Sequence, residues 1–396
     1  MMRIPRTAAA IGVFGSTLAV SALLPAAQQA VLPGDPLPGI TASEFSEFRL
    51  GLEDFTEVET AEDGLGPAFN GTSCAACHNV PAVGGGSVVV ETRAGYRTEQ
   101  GLAGLDHDGN TLMHLFSVPP HNCQPAAPDD ANVFARRVPL SVFGDGLIEA
   151  IPDETILALE DPFDRDGNGV RGRASIVMDV ATGTRRVGRF GWKAQQATLL
   201  AFAGDAYRNE MGITNDLFPK EYAYGISDAA MRRCDLRPDP EDVRDPLTHK
   251  RGIDNFEAFM KFLAPIARGP IDQAARDGER VFQSLGCATC HVPALNTGPS
   301  VNPLFNRKTV SLYSDLLLHD IGTGDGILQA AANGEEIRTP ALWGLRLRRP
   351  LLHDGSASTI EEAVVRHLRE AELARRGFSQ LREADRALLM AFLRSL

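Results

Sequence analysis

Two short strings in this 396-residue chain carry most of its chemistry: Cys74-Ala75-Ala76-Cys77-His78 and Cys287-Ala288-Thr289-Cys290-His291. Two thiols three positions apart can add to the two vinyl groups of one porphyrin, while a histidine directly after the second reaches the iron from the same loop. A thiol pair alone also suits a redox disulfide or half of a zinc site, but neither explains a histidine after both pairs. A shared zinc site is disfavoured further because the pairs begin 213 positions apart (74 to 287). The spacing predicts two covalently bound haem c groups, with Cys74, Cys77, Cys287 and Cys290 as thioether positions and His78 and His291 as proximal iron ligands.

Helices must present these loops. Asp272 to Leu285 has helical spacing with Ala275, Val281, Phe282 and Leu285 apolar, and Gly286 then lets the chain turn. Ser43 to Phe55 does similar work before the first motif, with Phe45, Phe48, Leu52 and Phe55. The C-terminus reads as one amphipathic helix carrying Leu381, Leu388, Leu389, Phe392, Leu393 and Leu396. A short internal repeat follows each motif. Arg137-Val138-Pro139-Leu140 resembles Arg338-Thr339-Pro340-Ala341; Leu147-Ile148-Glu149 aligns with Leu351-Leu352-His353, and Thr155-Ile156 with Thr359-Ile360. The same offset sets Phe163 opposite His367. Thr359 to Ala374 reads as a strong helix, from which His367 is either a surface histidine or a sixth iron ligand. Phenylalanine cannot ligate iron, so the repeat predicts one closed haem and one open haem.

Composition sets the setting. With 43% hydrophobic residues the chain can bury a substantial core, and its net charge of −12 argues against nucleic acid or anionic lipid as a partner. Arg3 and Arg6, the apolar run Ala8 to Leu24 and the small residues Ala26, Ala27 and Ala30 read as a secretory signal over residues 1–30. No second run is apolar enough to span a bilayer, so no stable membrane span is expected after cleavage, and the protein is expected to be periplasmic or otherwise exported. Of six cysteines, Cys123 and Cys234 remain outside the motifs, as a disulfide or as two buried thiols. Arg346, Arg348 and Arg349 read as a solvated turn or as counter-ions to haem propionates.

Longer strings resemble the bacterial di-haem cytochrome c peroxidase superfamily, and most closely its di-haem oxidoreductase branch, also called thiol oxidoreductases. They are Gly66-Pro67-Ala68-Phe69-Asn70, Gly146-Leu147-Ile148-Glu149-Ala150-Ile151-Pro152-Asp153, Gly188-Arg189-Phe190-Gly191-Trp192-Lys193-Ala194, Met211-Gly212-Ile213-Thr214-Asn215, Tyr313-Ser314-Asp315-Leu316-Leu317-Leu318-His319-Asp320 and Leu352-His353-Asp354-Gly355. In those relatives the sixth ligand of the electron-storing haem lies fourteen positions after the histidine of the His-Asp-Gly motif. The resemblance thus implies that His367 closes the second haem. It also implies an acid/base partner over the first haem, but their distal histidine has no counterpart between Asn79 and Gln100. Their tryptophan before an Asp-Gly pair is replaced, by the repeat, with Glu149. Glu149 is therefore the catalytic candidate, as a carboxylate pressed against porphyrin would exchange protons near neutral pH. His107, His114 and His121 are surface histidines or ligands of the first haem, and Trp192 is a core residue or an electron bridge. Asp164, Asp166 and Asn168 could hold a Ca2+ ion, as superfamily relatives do between their haems. However, Ser175 stands where a calcium loop has glutamate, and Asp106-His107-Asp108-Gly109-Asn110 is a weaker echo; Asx-rich turns explain both.

The expected architecture is mainly α: two cytochrome c-like haem domains with extensive irregular loops. Residues 31–265 form the N-terminal domain with insertions and 270–396 the C-terminal one, with the seam at Pro265, Gly269 and Pro270. The expected function is a peroxidase-like oxidoreductase that takes electrons from a small redox protein at the second haem and passes them to the first. There they reduce a small-molecule oxidant such as hydrogen peroxide. The alternatives are a non-catalytic electron carrier and a di-haem oxidase of an organic or thiol substrate.

Overall fold

Each Cys-x-x-Cys-His loop follows a helix that crosses a later helix at a glycine. The computed structural model describes residues 31–99, 101–105, 109–119, 123–234 and 243–396. The expected secretory signal, His107 and His121 lie outside them. Helix α1 (Ala42–Thr56) opens with a capping box in which Thr41 and Glu44 satisfy each other's backbone N–H groups. Helix α8 (Gln273–Ser284) is capped by the Asp272 carboxylate, which accepts from Ala275 N at 2.8 Å. Helix α1 packs on α7 (Gly252–Phe262), and α8 on α11 (Glu383–Leu393). A side chain at Gly51 would collide with the Asn255 carbonyl, and one at Gly278 with the Leu388 carbonyl, so both crossings require glycine.

The parallel extends to aromatic packing. The Phe55 ring lies 4.6 Å from Phe259 and 6.2 Å from His78. In the second half the Phe282 ring lies 5.0 Å from Phe392 and 6.3 Å from His291. A phenylalanine of the preceding helix thus backs each motif histidine and anchors it to the crossing helix.

The rest is less helical than expected. Short helices α2 (Cys74–Cys77), α3 (Asp145–Glu149), α4 (Asp153–Leu157), α5 (Leu199–Ala206), α6 (Asp228–Cys234), α9 (Ile360–Val365) and α10 (Glu372–Gln380) complete eleven among the described residues. Five small antiparallel sheets accompany them. The three-stranded one runs β3 (Gly101–Ala103), β2 (Glu91–Thr98), β5 (Val133–Arg137), with Glu91 opposite Arg137. The pairs are β1 (Ala68–Phe69) with β4 (Phe116–Ser117), β6 (Ser175–Asp179) with β7 (Thr184–Gly188), β8 (Leu295–Asn296) with β9 (Thr309–Val310), and β10 (Leu318–His319) with β11 (Ile337–Arg338). Long irregular segments connect them, so a mainly α description covers only part of the chain.

Two expectations need correction. The helix expected over 359–374 stops at Val365. Leu368 is extended, and its N–H donates to Ile321 O at 2.9 Å, so contacts with the 320s segment outweigh local helix propensity. The C-terminal helix is also two helices, with Leu381 capping α10 and Leu396 beyond α11. Residues 31–396 form one compact unit. The larger hydrophobic cluster joins Phe48, Phe55 and Phe259 to Leu312, Leu316 and Trp343, while the smaller contains Phe282, Tyr313, Phe378, Leu389 and Phe392. Cys123 and Cys234 are joined by a disulfide with their Cα atoms 6.0 Å apart, which decides between the two readings of that pair.

Candidate functional site

Two cavities open beside the two motifs. The first has a volume of about 200 Å³ and is lined by Cys74, Cys77 and His78. The second has a volume of about 430 Å³ and is lined by Cys287, Cys290 and His291. The internal repeat shapes both walls: Arg137, Val138, Pro139 and Leu140 line the first, and Arg338, Thr339 and Pro340 the second. His367 lines the second cavity together with His291. The break after α9 is what turns it there.

All three histidines are held alike. His78 Nδ1 lies 3.0 Å from Gly85 O, His291 Nδ1 3.1 Å from Tyr313 O, and His367 Nδ1 2.7 Å from Ala363 O. A ring that donates from Nδ1 to a carbonyl keeps its Nε2 lone pair for a metal. Burial lowers the pKa of all three, that of His291 to about 4, so each is neutral at physiological pH. These residues fit a haem in each cavity. The fit extends to cations for its carboxylates: Arg338 and Arg348 line the second cavity, where burial pushes both guanidinium groups down to about 10. At the first, Arg137 Nη2 is buried and has no hydrogen-bond partner among the described residues. Arg348 lines the second cavity, whereas Arg346 ties Leu396 O and Ala267 O together.

Trp192 lines both cavities. Its indole N–H donates to Val138 O at 2.8 Å, and its ring meets His353 edge-on at 6.1 Å. It therefore forms a shared wall between the two pockets. His319, also in the second cavity, sits between Asp315 and Glu370 at 2.8 Å from each. Although burial opposes its charge, Asp315 helps hold its pKa well above the usual histidine value. Its Nδ1 is 3.6 Å from Cys290 Sγ. The donor atoms of Cys290, Asp315 and His319 are close enough for a metal, but the motif assigns Cys290 to the porphyrin.

The first cavity holds a buried cluster in which two carboxyl groups meet. Glu91 and Arg93 alternate on β2, so both side chains share one face, and Glu210 reaches the same space from a π-helical turn (Tyr207–Met211) after α5. Arg93 grips Glu91 through Nε at 2.6 Å and Nη2 at 3.4 Å, Asn70 Nδ2 donates to Glu210 Oε2 at 3.1 Å, and the two carboxyl groups hydrogen-bond to each other. Burial and the neighbouring Glu91 charge push Glu210 up to about 8. Glu91 stays below the usual range because Arg93 and Arg137 outweigh its burial. Glu210 is protonated and Glu91 ionised at neutral pH.

Other expected site residues lie elsewhere. Glu149 lines neither cavity: its carboxylate accepts from Leu199 N at 2.7 Å, at the start of α5. Burial raises its pKa as anticipated, but its position is that of a helix cap. Phe163 is 75% exposed beneath Arg165 and faces no cavity, so it does not leave an iron open. His114 is buried rather than on the surface; it is not itself in the lining of the first cavity, but its Nε2 is 2.7 Å from the O of Asn209, which is. In the 161–170 loop, backbone N–H groups occupy the carboxylates: Gly169 N donates to Asp164, Asn168 N to Asp166 and Val170 N to the Asn168 side chain. These are Asx turns, and no metal-holding cluster occurs there among the described residues. The sequence reading missed Glu91, Arg93 and Glu210. Two signals were available: charges alternating on a strand, and a glutamate directly before the quoted Met211-Gly212 string.

The profile of the family described as "Di-haem oxidoreductase, putative peroxidase" matches residues 120–396. The chain belongs to the di-haem oxidoreductase family. No curated protein matches this di-haem oxidoreductase. Among solved structures it is similar to the diheme peroxidase BthA of Burkholderia thailandensis, with 16% identity, 89% of this chain and 86% of that chain covered, and a TM-score of 0.45. The hydrazine synthase of Kuenenia stuttgartiensis gives 15%, 96% and 100%, and 0.41. A MauG-like protein associated with microbial copper homeostasis gives 17%, 71% and 95%, and 0.34.

Proposed function

We propose that this protein is an exported di-haem c-type cytochrome that reduces a small peroxide at the first cavity with electrons received at the second. The observation that supports this best is the inequality of the two cavities. One joins His291 to a second neutral histidine, His367, whereas the other joins His78 to a protonated Glu210 and an ionised Glu91. Covalently bound haem would supply electron storage in the second cavity and peroxide O–O reduction in the first.

The chain's residues then have separable tasks. Cys74 and Cys77 hold one porphyrin, Cys287 and Cys290 the other. His291 and His367 would hold one iron and His78 the other, where bound haem would supply the chemistry for a substrate in the first cavity. Glu210 can donate a proton near neutral pH, where an ordinary carboxyl group cannot. Trp192 gives electrons a short path between the cavities. A small soluble redox protein is the expected donor, and the disulfide, the two motifs and the N-terminal apolar run support an oxidising, exported location. No helix among the described residues is long and apolar enough to cross a membrane.

A carrier with both irons saturated is the competing reading, since Met211 and Met260 also line the first cavity. EPR and optical spectra of the purified protein separate the two. The proposal requires one high-spin centre and a spectral response to cyanide and hydrogen peroxide. Two low-spin centres indifferent to both would establish the carrier instead.

A further inference from the structure

The first cavity contains more acid–base machinery than one donor needs. Glu91 and Glu210 come from elements far apart in sequence, β2 and the π-helical turn, yet their carboxyl groups share a hydrogen bond inside the cavity. The charges facing them come from every neighbouring element. Arg93 lies on the Glu91 strand, Arg137 directly opposite on β5, Asn70 after β1, Asp205 at the end of α5 and Cys77 on α2. Arg137 is fixed by Asp325 at 2.8 Å and Gln329 at 2.6 Å, which leaves only Nη2 over for the cavity.

We propose that Glu91 and Glu210 act as one proton-sharing pair, with Glu91 a second catalytic residue and Arg93 its positioning residue. This rests on the peroxidase reading above. Two carboxyl groups in contact cannot both ionise cheaply, so the pair carries one proton and one negative charge over the neutral range. That composition suits the heterolysis of a hydroperoxide. With a hydroperoxide in the cavity, ionised Glu91 would take the proton from one oxygen, and Glu210 would give its proton to the other, which would depart as water. The pair's proton count is unchanged, with the proton now on Glu91. Two electrons from the haem pair and two solvent protons then release the remaining oxygen as a second water. Arg93 stabilises the charged form of Glu91, and so determines which member holds the proton at rest.

The test uses the holoprotein and its Glu91→Gln, Glu91→Asp and Glu210→Gln variants. Infrared pH-difference spectra follow the carboxylic C=O stretch, and stopped-flow absorbance follows the reaction with hydrogen peroxide. In wild type one component of the stretch should disappear with a midpoint of about 8, and Glu210→Gln should abolish that component while leaving those of the buried Asp145 and Glu257, which titrate at about 7. Glu91→Gln should move the midpoint down by at least about one pH unit and slow the peroxide step about 100-fold at pH 7, with Glu91→Asp recovering part of both. A wild-type protein that reacts with peroxide, beside a Glu91→Gln protein with unchanged midpoint and rate, overturns the pair and leaves the peroxidase reading standing. A wild-type protein inert to peroxide, beside the predicted infrared shift, supports the proton-sharing pair and overturns the peroxidase reading.

Discussion

Replacing Cys123 and Cys234 together with alanine should lower the melting temperature by roughly 6 °C. The disulfide spans 111 positions, and neither haem motif lies inside that loop, so no thioether linkage duplicates the constraint. Loop-closure entropy assigns a loop of this size about 4.7 kcal/mol of destabilisation of the denatured state. Unfolding entropy of about 2.1 cal/mol/K per residue gives roughly 0.8 kcal/mol/K for the unit spanning 31–396, and the ratio gives the shift. Calorimetry on the holoprotein measures it. Urea unfolding supplies an independent check, because an uncrosslinked denatured state exposes more surface and should raise the m-value. A fall below about 1 °C with an unchanged m-value would refute the reasoning, since it would mean that the denatured loop is already restrained. The loop bears on function because it carries Trp192, Gln195 and Glu210, all in the wall of the first cavity.

His367→Ala should convert the second haem from low-spin to high-spin, and added imidazole should restore the original EPR signal; an unchanged spectrum would exclude His367 as a ligand. Asp325→Asn removes the shared partner of Arg137 (2.8 Å) and Lys193 (3.0 Å), with all three side chains almost fully buried, and should cost about 3–5 kcal/mol in denaturant unfolding. Arg137 and Lys193 hold Asp325 below its ordinary pKa despite its burial. Its contribution is therefore complete above the unfolded value near 3.8 and is lost as pH falls through the lower folded value. The wild-type advantage over Asp325→Asn should shrink only in strong acid. Gly278→Val drives a side chain into the Leu388 carbonyl and should destabilise by about 3 kcal/mol or more in denaturant unfolding.

The parts legible in the sequence were those in which one residue type has few uses. The two motifs and the helices before them fall as expected, and the internal repeat lines equivalent walls of the two cavities. The repeat misled beyond that point. It equates Glu149 with His353, and only His353 lines a cavity, because a short acidic side chain found a helix N-terminus nearer than the porphyrin space. The quoted family strings likewise mix structural and functional positions. Arg189 is fully buried and bonds the Ile148, Glu149 and Ile151 carbonyls and Asp153, so it holds the Glu149 segment rather than a substrate. The Glu91–Glu210 contact joins residues 119 positions apart (91 to 210), and no local periodicity announces a tertiary pairing of that kind.

The larger cluster, which draws Leu312, Leu316 and Trp343 into the same interior as Phe55 and Phe259, has a consequence for speed. Two pockets held in one compact unit, with the Trp192 indole in both walls, keep their separation without relying on a hinge. Transfer between them is then a property of fixed distance and intervening atoms, and should respond little to solvent viscosity. Any pacing of the reaction by molecular motion must come from the encounter with the donor or the arrival of substrate, both of which occur at the surface.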